Sequence, residues 1–156
     1  MAGSPRRGAS GVAEVEVADR QAREVDLERV AAAAAFALEA EGSDAPLSVT
    51  LVDDDEMAEL HVRFSGVPGP TDVLAFPFGD ADTPLPPGLA LLGEVVVSTD
   101  TAAREGDERG HGFERELLLY VIHGTLHLLG YDDHEPAERA RMHARQEELL
   151  AGFLDG

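Results

Sequence analysis

Residues 113–134 read FERELLLYVIHGTLHLLGYDDH. The run Leu117–Ile122 is apolar throughout, His123 and His127 follow it, and Leu128 and Leu129 come next. An apolar stretch of this length, without proline and with a glycine at its end, predicts a central helix over 113–129 that Gly130 stops. Residues four apart on a helix lie on one face, one turn apart, so the imidazoles of His123 and His127 can reach one ion. Gly130 can adopt a left-handed conformation and turn the chain back, which carries His134 toward the first two histidines. Three neutral imidazoles leave a fourth tetrahedral position open for water, the layout of a catalytic zinc site and not of a closed structural one. Such an ion lowers the pKa of its water to about 7 and supports hydrolysis. A single histidine pair at this spacing is a weak signal. Two imidazoles in an otherwise apolar helix are costly to bury without a shared partner, and the third histidine beyond the glycine turn strengthens the metal reading. Zinc suits three imidazoles, although nickel or copper suits them too.

Outward from this helix, the chain alternates strand-like and helix-like segments. Residues 12–17 (VAEVEV) alternate apolar and acidic side chains and read as a strand. Residues 25–41 are alanine-rich and read as a helix ended by Gly42. Residues 47–52 (LSVTLV) predict a second strand, and Asp53, Asp54 and Asp55 then cap a helix over 55–64. Residues 66–70 (GVPGP) form a turn-rich loop, and 72–78 (DVLAFPF) a strand that Pro77 confines to an edge. After a Pro-rich surface loop at 79–90, residues 91–98 (LLGEVVVS) predict another strand. Asp100 is a cap for a following helix, Gly106–Gly112 a charged break, and 136–153 a last amphipathic helix. The order β, α, β, α, β, β and then helices predicts an α/β (α+β) single domain. A small mixed sheet is packed with helices, one of them central and metal-bearing. Residues 1–11 are small, polar and Gly-rich and read as a disordered tail, which leaves 12–156 as the domain.

Composition narrows the chemistry. The chain has 156 residues and no cysteine, so disulfides, thiolate metal sites and cysteine nucleophiles are excluded and any transition-metal site uses histidine and carboxylate. The formal net charge is −19, which repels a phosphate backbone at long range and argues against a general nucleic-acid binder such as a DNA-coating protein. No apolar run approaches the roughly 20 residues that span a bilayer. Arg6 and Arg7 are not followed by an apolar segment, so no signal peptide is read. The expectation is a soluble cytoplasmic protein without a membrane partner.

The helix departs from the His-Glu-x-x-His pattern of zinc peptidases, because the residue after the first histidine is Gly124 and the general base is missing. The segment HGTLHLLGYDDH instead resembles the signature of the YbeY-type endoribonucleases, the bacterial rRNA maturation factors. Residues 60–77 (LHVRFSGVPGPTDVLAFP) resemble a second block of that family, and LLGEVVVS a third, in family order. The resemblance implies a zinc-dependent, single-strand-specific endoribonuclease that acts in small-subunit ribosomal RNA processing and ribosome quality control. It also implies a small α/β fold with a zinc-bearing central helix. Its metal ligands by position are His123, His127 and His134, its cofactor one Zn2+ per chain, and its partners RNA and the ribosome or ribosomal proteins.

Three departures stand out. Two aspartates, Asp132 and Asp133, precede His134 where the family has one. Ser65 follows the aromatic Phe64 where the family often has a functional arginine, so Arg63 becomes the phosphate contact. Ala75 and Glu94 replace a serine and an aspartate. Backbone N–H groups around Pro70–Asp72 are a further phosphate cradle. His61, His111 and His143 lack ligand-like spacing and read as surface or helix-face residues. Glu116, two turns before His123, reads as solvated or at the core edge. Tyr131 packs against the glycine turn. The rival readings are a non-catalytic ribosome assembly factor held together by its metal, and a zinc peptidase.

Overall fold

A computed structural model describes residues 14–65, 71–77 and 93–155. The sequence-predicted tail and the loops at 66–70 and 79–90 lie outside the described residues. Nine elements follow in the order β1 (Val15–Asp19), α1 (Leu27–Ala40), β2 (Leu47–Val52), α2 (Asp54–Ser65), β3 (Val73–Pro77), β4 (Gly93–Ser98), α3 (Thr99–Arg109), α4 (Phe113–Leu128) and α5 (Pro136–Asp155). This is the predicted order and the predicted α+β class.

The four strands form one mixed sheet in the order β1-β2-β4-β3. β1, β2 and β4 run parallel, and β3 lies antiparallel to β4 at the edge, where Pro77 ends it without breaking a central ladder. Side chains of a strand alternate between faces. On one face Val49, Leu51, Val95 and Val97 join the main core with Val30, Ala33, Ala34, Ala37 and Leu38 of α1 and Leu117, Leu118, Ile122 and Leu126 of α4. On the other face Val52 and Val96 pack with Met57 of α2, flanked by Leu60, Leu74 and Phe76. Burial on both faces explains why Leu51 and Val52 of β2 and Val95–Val97 of β4 are apolar at consecutive positions.

Helix ends follow local chemistry. Asp26 caps α1 by accepting the Arg29 N–H, and Asp53 accepts the Glu56 N–H at the start of α2. The cap of α3 is Ser98, not Asp100 as the sequence suggested. Asp100 caps a neighbour instead: its carboxylate accepts the Asp54 N–H at the first residue of α2. Asp54 in turn accepts the hydroxyls of Ser98 and Thr101 and the Arg104 guanidinium, so the tops of α2 and α3 are tied into one knot. Burial alone raises the Asp54 carboxyl, but these bonds outweigh it and hold its pKa below the ordinary value. α3 also runs through Gly106, where a break was expected. The backbone of Gly112 crosses so close that a side chain at 106 would overlap it, and the true break is the left-handed Gly110.

Candidate metal centre

α4 packs against the sheet, α1, α3 and α5, is buried over most of Glu116–Leu126, and emerges at both ends. His123 is half-buried and His127 exposed. The burial cost inferred from the sequence therefore falls on His123 alone. The pair nevertheless shares one face, with ring centroids 5.9 Å apart. Gly130 has φ +107°, the left-handed turn expected, and the chain doubles back through Tyr131 to His134.

Each motif histidine has an oxygen acceptor at Nδ1. His123 Nδ1 lies 2.6 Å from Gln146 Oε1, a buried α5 side chain. His127 Nδ1 lies 3.0 Å from the Tyr131 backbone carbonyl. His134 Nδ1 lies 2.6 Å from Asp132 Oδ1, and the same carboxylate oxygen accepts the His134 backbone N–H. That backbone bond, outweighing a small desolvation and joined by the imidazole, holds the Asp132 carboxyl below its ordinary range. An acceptor at Nδ1 places the proton there and leaves the Nε2 lone pair for a cation. The residues thus fit an imidazole-bound metal: their second nitrogens are already spoken for by second partners of the right polarity.

The structure brings His123 and His127 together and keeps His134 apart, its side chain 83% exposed in the loop. Among the described residues the donor atoms of Asp132, Asp133 and His134 lie within 4.8 Å of one another, a second set able to hold an ion. Asp132 braces the turn by accepting the His134 backbone N–H, and it also faces the third histidine.

Two supports were invisible to the sequence reading. Glu41, at the end of α1, accepts the Tyr131 hydroxyl at 2.9 Å and the Arg145 Nε–H at 2.6 Å. It thereby anchors the residue whose carbonyl holds His127. Gln146 has one signal in the sequence, a polar residue on the apolar stripe of Met142, Leu149 and Leu150. Glu116 is not solvated: it is fully buried and paired with Arg109 and His111, so His111 is a partner residue and not a free surface imidazole. The Tyr120 hydroxyl makes no hydrogen bond among the described residues. Burial first, and the Glu116 carboxylate after it, push its pKa up. Arg109, His111, Tyr120, His123, His143 and Gln146 line one cavity of about 360 Å³.

Gly124 has a steric origin. A Cβ there would meet Val95 Cγ1 at 2.5 Å and Val73 Cγ2 at 3.1 Å, so the helix touches the sheet at this point and has no room for the glutamate of a peptidase motif. Arg63 stands elsewhere. It is exposed on α2 and lines a separate cleft of about 350 Å³ with Arg20, Thr50, Glu56, Phe76 and Glu94, on the opposite face of the sheet from α4. Glu94 accepts the Thr50 hydroxyl at 2.5 Å in this cleft, so its carboxylate serves that face and not the histidines.

A model of the family described as Endoribonuclease YbeY matches residues 14–154. Proteins of that name from Thermobifida fusca and Salinispora tropica are 45% and 44% identical to this chain. The alignments cover 89% of the chain and 93% and 95% of those proteins. The solution structure of TM1509 from Thermotoga maritima superposes with a TM-score of 0.64 at 30% identity, over 89% of this chain and 88% of that one.

Proposed function

Because the chain belongs to the endoribonuclease YbeY family, we propose that it cleaves single-stranded RNA with one zinc ion held by His123, His127 and His134. The observation that carries the reading is the acceptor at every Nδ1, which leaves three Nε2 lone pairs for one ion. Neutral imidazole is a good zinc donor, and three of them leave a position for substrate or water. Zinc, when bound, polarises a phosphoryl oxygen and lowers the pKa of a water ligand to about 7. The chain's own residues do the rest. Gln146 and the Tyr131 carbonyl orient the imidazole pair, and Asp132 orients His134. His134 would complete the ligand set when an ion is held, since its exposed side chain is tied only to Asp132 of its own loop.

The cavity beside His123 is large enough for a nucleotide. Arg63, with no ion pair among the described residues, contacts a phosphate of the strand away from the histidines. The substrate in this reading is ribosomal RNA during small-subunit maturation, in the cytoplasm. Among the described residues no helix is long and apolar enough to cross a membrane. The net charge of −19 favours a second contact with a basic ribosomal protein, and that contact alone would describe a non-catalytic assembly factor.

Metal content of the purified chain, measured with cleavage of a labelled single-stranded RNA with and without chelator, separates the readings. One zinc per chain with chelator-sensitive cleavage, both lost in His123→Ala and His127→Ala, is expected. Zinc without cleavage would move the function to the assembly factor. Full metal content in the histidine variants would overturn the ligand set.

A further inference from the structure

Gln146 is 5% exposed and shares its face of α5 with Met142, Leu149 and Leu150, all part of the main core. A primary amide at such a position costs stability unless both its ends are bonded, and leucine would fill the site without that demand. Its carbonyl oxygen meets His123 Nδ1 at 2.6 Å, across 23 residues and from a different helix. Its nitrogen turns the other way and lies 3.5 Å from His143 Nδ1, a ring nitrogen able to accept an N–H in one of its tautomers. A carbonyl oxygen only accepts, so the proton of His123 sits on Nδ1.

His127 is held the same way by a backbone carbonyl, which has no alternative orientation. The two imidazoles one turn apart thus share one tautomer. Were the Gln146 amide absent, His123 would be free to carry its proton on Nε2, where it blocks coordination. We infer that Gln146 is a positioning residue that fixes the ligand tautomer of His123 and so sets the metal affinity of the site. This rests on the metal reading above, and it names a residue of α5 as part of the centre.

The test uses the full chain and two variants. Gln146→Leu removes the acceptor and suits the apolar face, while Gln146→Glu keeps an acceptor and makes it stronger. The His123 ring in the zinc-free protein is read by nitrogen–proton correlation NMR, and zinc affinity by competition with a chromophoric chelator. The wild type should show His123 protonated at Nδ1. Gln146→Leu should lose that signature and bind zinc about 10–100-fold more weakly, the loss typical of removing a ligand's hydrogen-bond partner. Gln146→Glu should keep the signature and bind zinc at least as tightly as the wild type.

A core-filling role alone would move the unfolding midpoint of the zinc-free protein and leave the tautomer untouched. If Gln146→Leu fails to fold, weaker zinc binding by Gln146→Glu than by the wild type overturns the inference. Wild-type zinc affinity in Gln146→Leu, or a wild-type His123 protonated at Nε2, overturns it alone. A wild-type chain that binds no zinc overturns the metal reading and this inference together.

Discussion

Replacing Gly124 by alanine adds one methyl group at the point where α4 meets the sheet. Its carbon would lie 2.5 Å from Val95 Cγ1 and 3.1 Å from Val73 Cγ2, against the 3.5–4.0 Å at which carbon atoms attract. Relief requires about 1 Å of movement. Val95 is fully buried and stiff at χ1, so the helix must shift, and overpacking of this kind costs about 1–3 kcal/mol. Alanine recovers about 1 kcal/mol in helix propensity. The site admits little relaxation, so the upper part of the range applies and the net loss is about 1–2 kcal/mol. For a domain of this size that lowers the melting temperature by about 2–8 °C.

Val95→Ala alone should cost about 2 kcal/mol in lost burial and cavity. The double variant should be more stable than the sum of the singles by about 1 kcal/mol or more, because the second change makes the space the first one needs. Thermal unfolding of the chelator-treated proteins followed by circular dichroism gives all four corners of the cycle. An alanine at 124 that leaves stability unchanged or raises it, or two changes that merely add, would refute the close approach of α4 to β4. The same geometry predicts that Gly124→Glu fails to create a peptidase and unfolds the helix–sheet contact instead.

Asp54→Asn should destabilise the chain at pH 7 by about 1.5–3 kcal/mol, the range for a hydrogen-bonded charged group. Because the folded carboxyl is held below its unfolded value, its stabilisation is present above about pH 4 and is lost as pH falls through the folded pKa. Wild type and variant should therefore differ most in urea melts at neutral pH and draw together as the pH falls below about 4. Tyr131→Phe frees the loop from Glu41 and should weaken zinc binding by less than His127→Ala does, as measured by chelator competition. Arg63→Glu should weaken binding of a labelled single-stranded RNA, more so at low salt, with zinc content unchanged. An unchanged RNA affinity removes Arg63 from the interface.

The fold was legible because its signals are local. Leu51–Val52 and Val95–Val97 put apolar residues on consecutive strand positions, as strands buried on both faces require, and Pro77 marks an edge because a central strand cannot spare its N–H. The apolar stripe of α1 at Val30, Ala33, Ala34, Ala37 and Leu38 repeats with helical period. Where the reading failed, long-range contacts overrode a local rule. Gly106 looks like a helix breaker, yet it stays helical because the chain returning at Gly112 needs the space a side chain would fill. Asp100 has the composition of a helix cap and is one, but for α2, a helix 46 residues earlier in the chain.

The same division governs the site. His123, His127, Gly130 and His134 lie within twelve positions, and spacing on one helix and one turn places them near one another without knowledge of the rest of the chain. The groups that give those imidazoles their chemistry come from elsewhere: Gln146 from α5, and Glu41 from the end of α1 by way of Tyr131. Each comes from a helix packed against α4, and each is held by the core that α1, α4 and α5 build together. Packing and tautomer are therefore coupled. A substitution in the α4–α5 seam that tilts α5 by a fraction of an ångström lengthens the bond at His123 Nδ1 before it unfolds anything, because a hydrogen bond weakens steeply with distance and angle while the apolar contacts around it fall off gradually. The centre is thus more sensitive than the fold to changes in that seam. Metal affinity should decline at positions such as Met142 and Leu149 under substitutions that leave the melting temperature nearly where it was.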